Sequence, residues 1–303
     1  MKKVATDSQI IFNQSFIFKI CESVAINFNF ISDKKSWRVF IFYNTFAENF
    51  ISTMIAVKNL YKSFEGREVL KNVSLTLEEG KINIVIGQSG SGKTVMLKCM
   101  VGLYRADSGH IEFAGNDITT MNFSDLKELR KQIGMLFQAG ALFDYLTVEE
   151  NVVFPLSMFT EMTKEEKVER ANFCLQRVNL INSNKLFPAQ LSGGMKKRVA
   201  IARAISMNPK YLFCDEPNSG LDPATGILID NLVKEITEEY NITTLVITHD
   251  MNSVMEIGDN INFLYQGEIK WKGDKLEILK TDNKEICDFV YASKFMKKLK
   301  DII

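Results

Sequence analysis

The chain has 303 residues, 46% of them hydrophobic and 24% charged, the composition of an ordinary globular protein of one or two domains. Lys+Arg and Asp+Glu each number 37, so the formal net charge is zero, which argues against a surface built to grip nucleic acid. Five Pro and 17 Gly exclude a collagen-like or Pro-rich disordered chain. The five Cys (Cys21, Cys99, Cys174, Cys214, Cys287) include no close pair and read as reduced cytosolic thiols. Two histidines, His110 and His249, are too few for a His-rich metal centre.

Residues 1–53 hold nine of the 22 Phe, and their apolar stretches are cut by Asn13, Gln14, Lys19 and Glu22. No run approaches the 18 or so apolar residues of a membrane span. Three readings stand for this extension: a membrane-surface or partner-binding segment, a disordered leader, or sequence upstream of a true start at Met54. The third is favoured, because Met54 opens the first well-patterned strand. From there the grammar is α/β. Ile55–Val57 and Val73–Leu77 alternate like antiparallel strands, with a turn at Glu65-Gly66 between them. Lys81–Ile86 is an apolar strand, and a helix starts after Gly92. Residues 163–178 place Val168, Ala171, Cys174, Leu175 and Val178 at helical spacing. Tyr211–Cys214 and Thr244–Ile247 are short apolar runs of the kind buried in parallel sheets.

Gly87-Gln88-Ser89-Gly90-Ser91-Gly92-Lys93-Thr94 fits GxxxxGK[ST] between a strand and a helix, the context this phosphate-binding loop requires. Gly87, Ser89, Gly90, Ser91 and Gly92 let backbone N–H groups curl around phosphate oxygens, and the helix N-terminus adds its positive dipole end. Lys93 reaches the β and γ phosphates of a nucleoside triphosphate, and the Thr94 hydroxyl is a Mg²⁺ ligand. Tyr211-Leu212-Phe213-Cys214-Asp215-Glu216 supplies the other half. A buried strand ending in Asp215 sets a carboxylate beside the Mg²⁺ of Thr94, and Glu216 then polarises an attacking water. The pair makes the chain a P-loop NTPase with hydrolytic equipment.

Leu191-Ser192-Gly193-Gly194-Met195, followed by Lys196–Ala204, resembles the signature sequence of ATP-binding-cassette (ABC) ATPases and the helix behind it. Ser192, Gly193 and Gly194 open another small-residue helix N-terminus suited to a phosphate. One P-loop already serves the γ-phosphate of its own chain, so this second anion site implies a second subunit closing over the ATP. Other segments are similar to the family's in order and spacing, over about residues 54–290. Gln138 resembles the Q-loop glutamine, which contacts Mg²⁺ and attacking water. Ser219-Gly220-Leu221-Asp222 resembles the D-loop that crosses the dimer interface, and His249, 33 residues after Glu216, the switch histidine near the γ-phosphate. Phe64 matches the aromatic that stacks on adenine, with Tyr61 as the alternative. Met195 stands where family members usually carry Gln.

The resemblance implies a fold and a job. The fold is α/β: an ABC-type P-loop NTPase with a mainly parallel core sheet, an antiparallel β subdomain and a helical signature subdomain at about 139–205, all within residues 54–292. The job is transport-coupled ATP hydrolysis, with ATP and Mg²⁺ at the site and Glu216, His249 and Gln138 as catalytic residues. Thr94, Gln138 and Asp215 would hold the metal, and Ser192–Gly194 and Asp222 would contact nucleotide. Expected partners are a second copy, head to tail, and an integral-membrane permease docking between Gln138 and Pro155, on a face of Ala141, Leu142, Phe143, Val152 and Val153. The protein would sit peripherally on the cytoplasmic side of an inner membrane. Segments 134–143, 151–156 and 191–204 are similar to the ATPases of Mce/Mla-type phospholipid transporters, which adds an Mce-type lipid-binding protein as a partner. An ABC ATPase of another transporter, or a soluble one, is the alternative. A single cassette argues against the ribosome-acting class, and the absence of sustained heptads against the chromosome class. The basic stretch Lys294–Lys300, within the tail 293–303, reads as a solvated terminal helix, or else as a contact to the neighbouring subunit or to anionic lipid.

Overall fold

The computed structural model describes residues 55–291. The extension 1–53, the start at Met54, Cys21 and the basic tail lie outside the described residues. The first pair of strands, β1 (Ile55–Phe64) and β2 (Arg67–Leu77), joins antiparallel through Glu65 and Gly66, both with positive φ, as a two-residue type I′ hairpin demands. Both strands outrun their alternating segments. Lys58-Asn59 and Lys71-Asn72 break the period-2 pattern, yet pairing continues because the register shifts there. Asn59 and Asn72 take left-handed φ and bond side chain to side chain at 2.7 Å. With β4 (Ser108–Phe113) and β5 (Asn116–Asp117) they form a four-stranded antiparallel sheet, order β2-β1-β4-β5.

The second sheet has six strands: β3 (Ile82–Ile86), β6 (Ile133–Leu136), β7 (Tyr211–Asp215), β8 (Thr243–Thr248), β9 (Asn260–Tyr265) and β10 (Glu268–Gly273), in the order β10-β9-β3-β8-β7-β6. Every pairing in it is parallel except β9 with β10. All residues of β3, β7 and β8 are buried, the reason their sequences are mostly apolar; the polar exceptions are Asn83 inside β3, Asp215 at the end of β7 and the threonines at the ends of β8. Alternate side chains serve two cores. Val85, Tyr211, Phe213, Leu245 and Ile247 join the antiparallel sheet and α1 (Lys93–Met100). Ile84, Leu212, Cys214 and Val246 join the helices of the other face.

Those helices include α3 (Val148–Phe159), α4 (Lys164–Arg177), α5 (Gly193–Ile205), α6 (Pro223–Tyr240) and α7 (Met251–Ile257); α2 (Phe123–Arg130) lies between β5 and β6, and two short helices, α8 (Glu277–Lys280) and α9 (Lys284–Val290), end the described chain. Capping boxes, Thr147 with Glu150 and Thr163 with Glu166, start α3 and α4. Helices α3, α4 and α5 pack together as the helical part of the fold. Burial pushes the thiols of Cys99 and Cys174 up to about 11 and that of Cys214 up to about 12, so all three stay protonated and inert. None of the described helices is long and apolar enough to cross a membrane.

The seam between β6 and α5 depends on Gly134, where a Cβ would lie 2.5 Å from the Ala204 carbonyl oxygen. Gly134→Ala should push strand from helix at a cost of about 1–3 kcal/mol, read as a drop in the thermal midpoint. An unchanged midpoint would mean that the seam has slack.

Candidate active site

The phosphate-binding loop spans the turn from β3 into α1. Gly92 takes φ +106 at the N-cap of α1, and a Cβ there would meet Leu70 Cδ2 at 2.9 Å and the Val69 carbonyl at 3.0 Å. A Cβ on Gly87 would lie 2.2 Å from the Leu264 carbonyl oxygen, so the loop passes β9 at backbone distance. Lys93 folds back over the loop, its Nζ donating to the carbonyls of Gly87 at 2.8 Å and Gln88 at 2.9 Å. Burial lowers its pKa, opposed by the charges of Glu216 and Asp215. The Ser91 hydroxyl is buried in the same loop without a hydrogen-bond partner. A donor left open under a curl of N–H groups, beside an ammonium, is a fit for phosphate oxygens.

Next to the loop, Thr94 Oγ1 donates to Asp215 Oδ1 at 3.1 Å. Burial raises the Asp215 pKa, and the Thr94 bond offsets part of the rise. A hydroxyl oxygen and a carboxylate at this spacing are the hard donors that Mg²⁺ takes from protein. Glu216, one residue on, has φ +46, an uncommon backbone state for a side chain of this size, held by its N–H bond to the Ile247 carbonyl at 2.8 Å. Its two carboxylate oxygens are separately engaged. Oε1 lies 3.1 Å from His249 Nδ1, and Oε2 accepts from Gln138 Nε2 at 2.8 Å. Gln138 Nε2 also reaches Ser219 Oγ at 3.2 Å. The structure thus brings Gln138, Glu216 and His249 together from three separate loops. The side-chain amide of Gln138 is engaged with Glu216 and Ser219, while Thr94 pairs with Asp215.

Phe64 is 40% exposed and stands edge-on to Tyr104 at 5.4 Å, with Lys62 Nζ 5.2 Å from its ring centre. A groove of about 1270 Å³ runs from Phe64 to Gln88, Ser89, Gly90 and Ser91; Tyr61 does not line it. Neither do Ser192, Gly193 or Gly194. Ser192 caps α5, accepting from Met195 N at 3.2 Å, and is exposed with Gly193 at the helix start. A Cβ on Gly194 would meet Thr225 Cγ2 at 2.6 Å, so packing against the start of α6 asks for glycine there. Asp222 caps α6, accepting from Thr225 N at 3.0 Å and Thr225 Oγ1 at 2.6 Å; these bonds hold its pKa down. Met195 packs its thioether against the helical core. Of the expected docking face Ala141 is exposed and Phe143 half-buried, whereas Val152 is fully buried and Leu142 and Val153 pack on the core; Tyr145, Phe154 and Met158 supply the exposed apolar surface beside them. The side-chain spacing of α3 turns Val152 inward.

A family model described as ABC transporter matches residues 70–219. The probable ribonucleotide transport ATP-binding protein mkl of Mycobacterium leprae is 35% identical over 236 residues, 78% of this chain and 68% of its own length. The methionine import ATP-binding protein MetN of Mannheimia succiniciproducens is 40% identical over 250 residues, 81% of this chain and 72% of its own. Among solved structures, the dimeric post-hydrolysis state of the ATP-binding cassette MJ0796 bound to ADP and Pi superposes with a TM-score of 0.68 at 35% identity, covering 73% of this chain and 98% of that one. For cbiO1 from Clostridium perfringens, part of the ABC transporter complex cbiONQ, the TM-score is 0.70 at 28% identity, with 83% and 98% covered.

Sequence reasoning passed over a second layer of residues behind the site. Asn151, buried, binds the carbonyls of Phe143, Leu146 and Thr147 and accepts from Phe143 N, tying the segment after Gln138 to α3. Asn218, two residues past Glu216, donates to Asp230 Oδ2 at 2.7 Å and Ser253 Oγ at 3.0 Å, joining the D-loop to α6 and α7. An acid in the apolar stripe Ile229, Leu232, Val233, Ile236 of α6 was the available signal for Asp230. Burial, aided by the charges of Asp250 and Glu256, lifts its pKa from 3.8 to about 6, against the bonds from Ser253 and Asn218. The folded state therefore binds more protons than the unfolded one between about pH 4 and 6, and this contribution to stability is lost as pH rises through that window. Asp230→Asn should flatten the fall. Its thermal midpoint should exceed that of the parent by a few degrees at pH 7.5 and match it near pH 4; parallel curves across the range would count against a protonated Asp230.

Proposed function

Because this chain belongs to the ABC transporter family, as an ATP-binding subunit that hydrolyses ATP, we propose that it powers movement of phospholipid or another hydrophobic molecule between membranes. The observation that carries the catalytic half is the meeting of Gln138, Glu216 and His249 beside the Thr94–Asp215 pair. Phe64 offers a face to adenine, and the loop N–H groups, the Ser91 hydroxyl and Lys93 receive the phosphate chain. Thr94 and Asp215 would hold Mg²⁺, which would supply charge neutralisation along the phosphates. Glu216 accepts the proton of the attacking water. Gln138 and His249 hold its two oxygens in place, so the carboxylate has no search to make. Ser192 and Gly193 stand exposed at the start of α5 and do not line the groove of their own chain, which supports their serving the site of a second copy set head to tail, with Asp222 near the seam.

The exposed Tyr145, Phe154 and Met158, with the half-buried Phe143 between them, suit a membrane subunit's cytoplasmic helices, and the protein then sits peripherally on the inner face of that membrane. The lipid reading is supported by the similarity of segments 134–143, 151–156 and 191–204 to Mce/Mla-type ATPases, and it brings an Mce-type lipid-binding protein into the assembly. The relatives' own names specify different cargoes, ribonucleotide and methionine, on one shared cassette, which fits selection of cargo by the membrane subunit.

Glu216→Gln should leave the ATP Kd within about threefold and lower steady-state hydrolysis by about 10²-fold or more. Wild-type turnover would remove Glu216 from the reaction. Isolation of the complex from native membranes should yield a polytopic subunit, and the reconstituted complex should move labelled phospholipid only with ATP. Uptake of an amino acid or nucleotide without lipid transfer would overturn the cargo.

A further inference from the structure

The first three basic residues of α5, Lys196, Lys197 and Arg198, are consecutive in sequence, and the helix separates them. Lys197 falls in the buried stripe of Gly194, Ala200, Ile201 and Ala204 and is only 5% exposed. Its Nζ donates to the Gln138 carbonyl and reaches the Glu216 carbonyl at 3.4 Å. Burial lowers its pKa, and the nearby Asp215 and Glu216 charges oppose that. An ammonium taken out of water is costly unless its donors are used, and here they end on backbone oxygens of the two residues whose side chains meet at 2.8 Å. Farther along the same helix, Arg203 donates to the Gly140 and Ala141 carbonyls, both at 2.7 Å. Three carbonyls of the segment 138–141 and the carbonyl of Glu216 thus terminate on one helix, the helix that Ser192 caps.

We propose that Lys197 is a positioning residue. It ties the backbone of Glu216 to that of Gln138, so that the aim of the Glu216 carboxylate is set by where the signature helix stands. The inference rests on the catalytic roles proposed above for Glu216 and Gln138. It supplies a route by which a change at the exposed start of α5 reaches the reacting carboxylate within the same chain. Glu216 is suited to this, since its φ of +46 is held by neighbours rather than by local preference. Arg203 holds the far part of the same loop and has no contact with Glu216 among its bonds.

The test uses the full chain, with kcat and KM for ATP, equilibrium ATP binding and thermal midpoint measured on Lys197→Met, Lys197→Arg and Glu216→Gln side by side. Lys197→Met should lower kcat by about tenfold or more while KM and the ATP Kd stay within about twofold, because orientation of the base is lost and the phosphate loop is untouched. Lys197→Arg, which keeps a cation with several donors, should recover most of the rate. Gln138→Ala combined with Lys197→Met should cost less than the two losses multiplied, since both act on the same carboxylate. If Lys197→Met does not fold, Lys197→Leu, which likewise carries no donor, takes its place with the same expected split. Wild-type kcat in either folded variant overturns the inference, as does a parallel loss of ATP affinity and rate that arginine does not rescue. Turnover surviving in Glu216→Gln would instead sink the catalytic reading itself, whatever Lys197 does.

Discussion

Parallel pairing of three fully buried strands places all the chemistry at one edge. In the ladder β3-β8-β7, Ile86 pairs with Thr248 and Ile247 with Asp215, so the three strands end at nearly the same level. Backbone hydrogen bonds are used up inside the sheet and side chains are used up by the two cores, which leaves the carboxyl ends as the place where chain geometry is free to serve a ligand. From β3 the chain leaves into the phosphate loop, from β7 into Asp215 and Glu216, and from β8 into His249. Residues far apart in sequence come within hydrogen-bond reach because the sheet allows no other register.

On that edge the charges are arranged by burial as much as by attraction. Lys93 and Asp215 are both largely out of water, and each is shifted toward its neutral form by that burial while the opposite charge of the other pulls it back. Removing water strengthens the interactions that remain, so the Thr94 hydroxyl bonded to Asp215 becomes an effective orienting group. The helical part of the fold reaches the Gln138 loop itself through α5, where Lys197 and Arg203 bond its carbonyls and Gly194 packs against the start of α6, while Asn151 of α3 holds the segment that follows. One helix thus links a surface N-terminus to the loops that hold the carboxylate.

The phosphate loop, the strand ends at Asp215 and Glu216, and the turn at Glu65-Gly66 were legible in the sequence because each is a local event. Their residue types are demanded by backbone curvature or by a strand buried on both faces, and a short window carries the whole signal. The reach of β1 and β2 beyond their alternating segments was not legible, since the register shifts near Asn59 and Asn72, which bond each other, and such cross-strand pairing leaves no mark in a short window. The docking face shows the same limit. Val152 and Phe154 are equally apolar in the sequence, and only the packing of α3 decides that one is core and the other surface.

By itself, then, the sequence determined the kind of chemistry: a phosphate loop, a strand-end carboxylate suited to a metal, a glutamate beside it and a signature helix, all written as contiguous motifs. The tertiary structure decided how these groups act on one another. It joined Gln138 and His249 to separate oxygens of Glu216, turned Asp222 and Ser192 into helix caps, and drew Lys197 out of a basic run into the interior. The reason is physical: a motif specifies local backbone and reactive groups, whereas burial, hydrogen-bond partners and pKa arise from neighbours tens of residues away, which only the packed sheet and helices bring together.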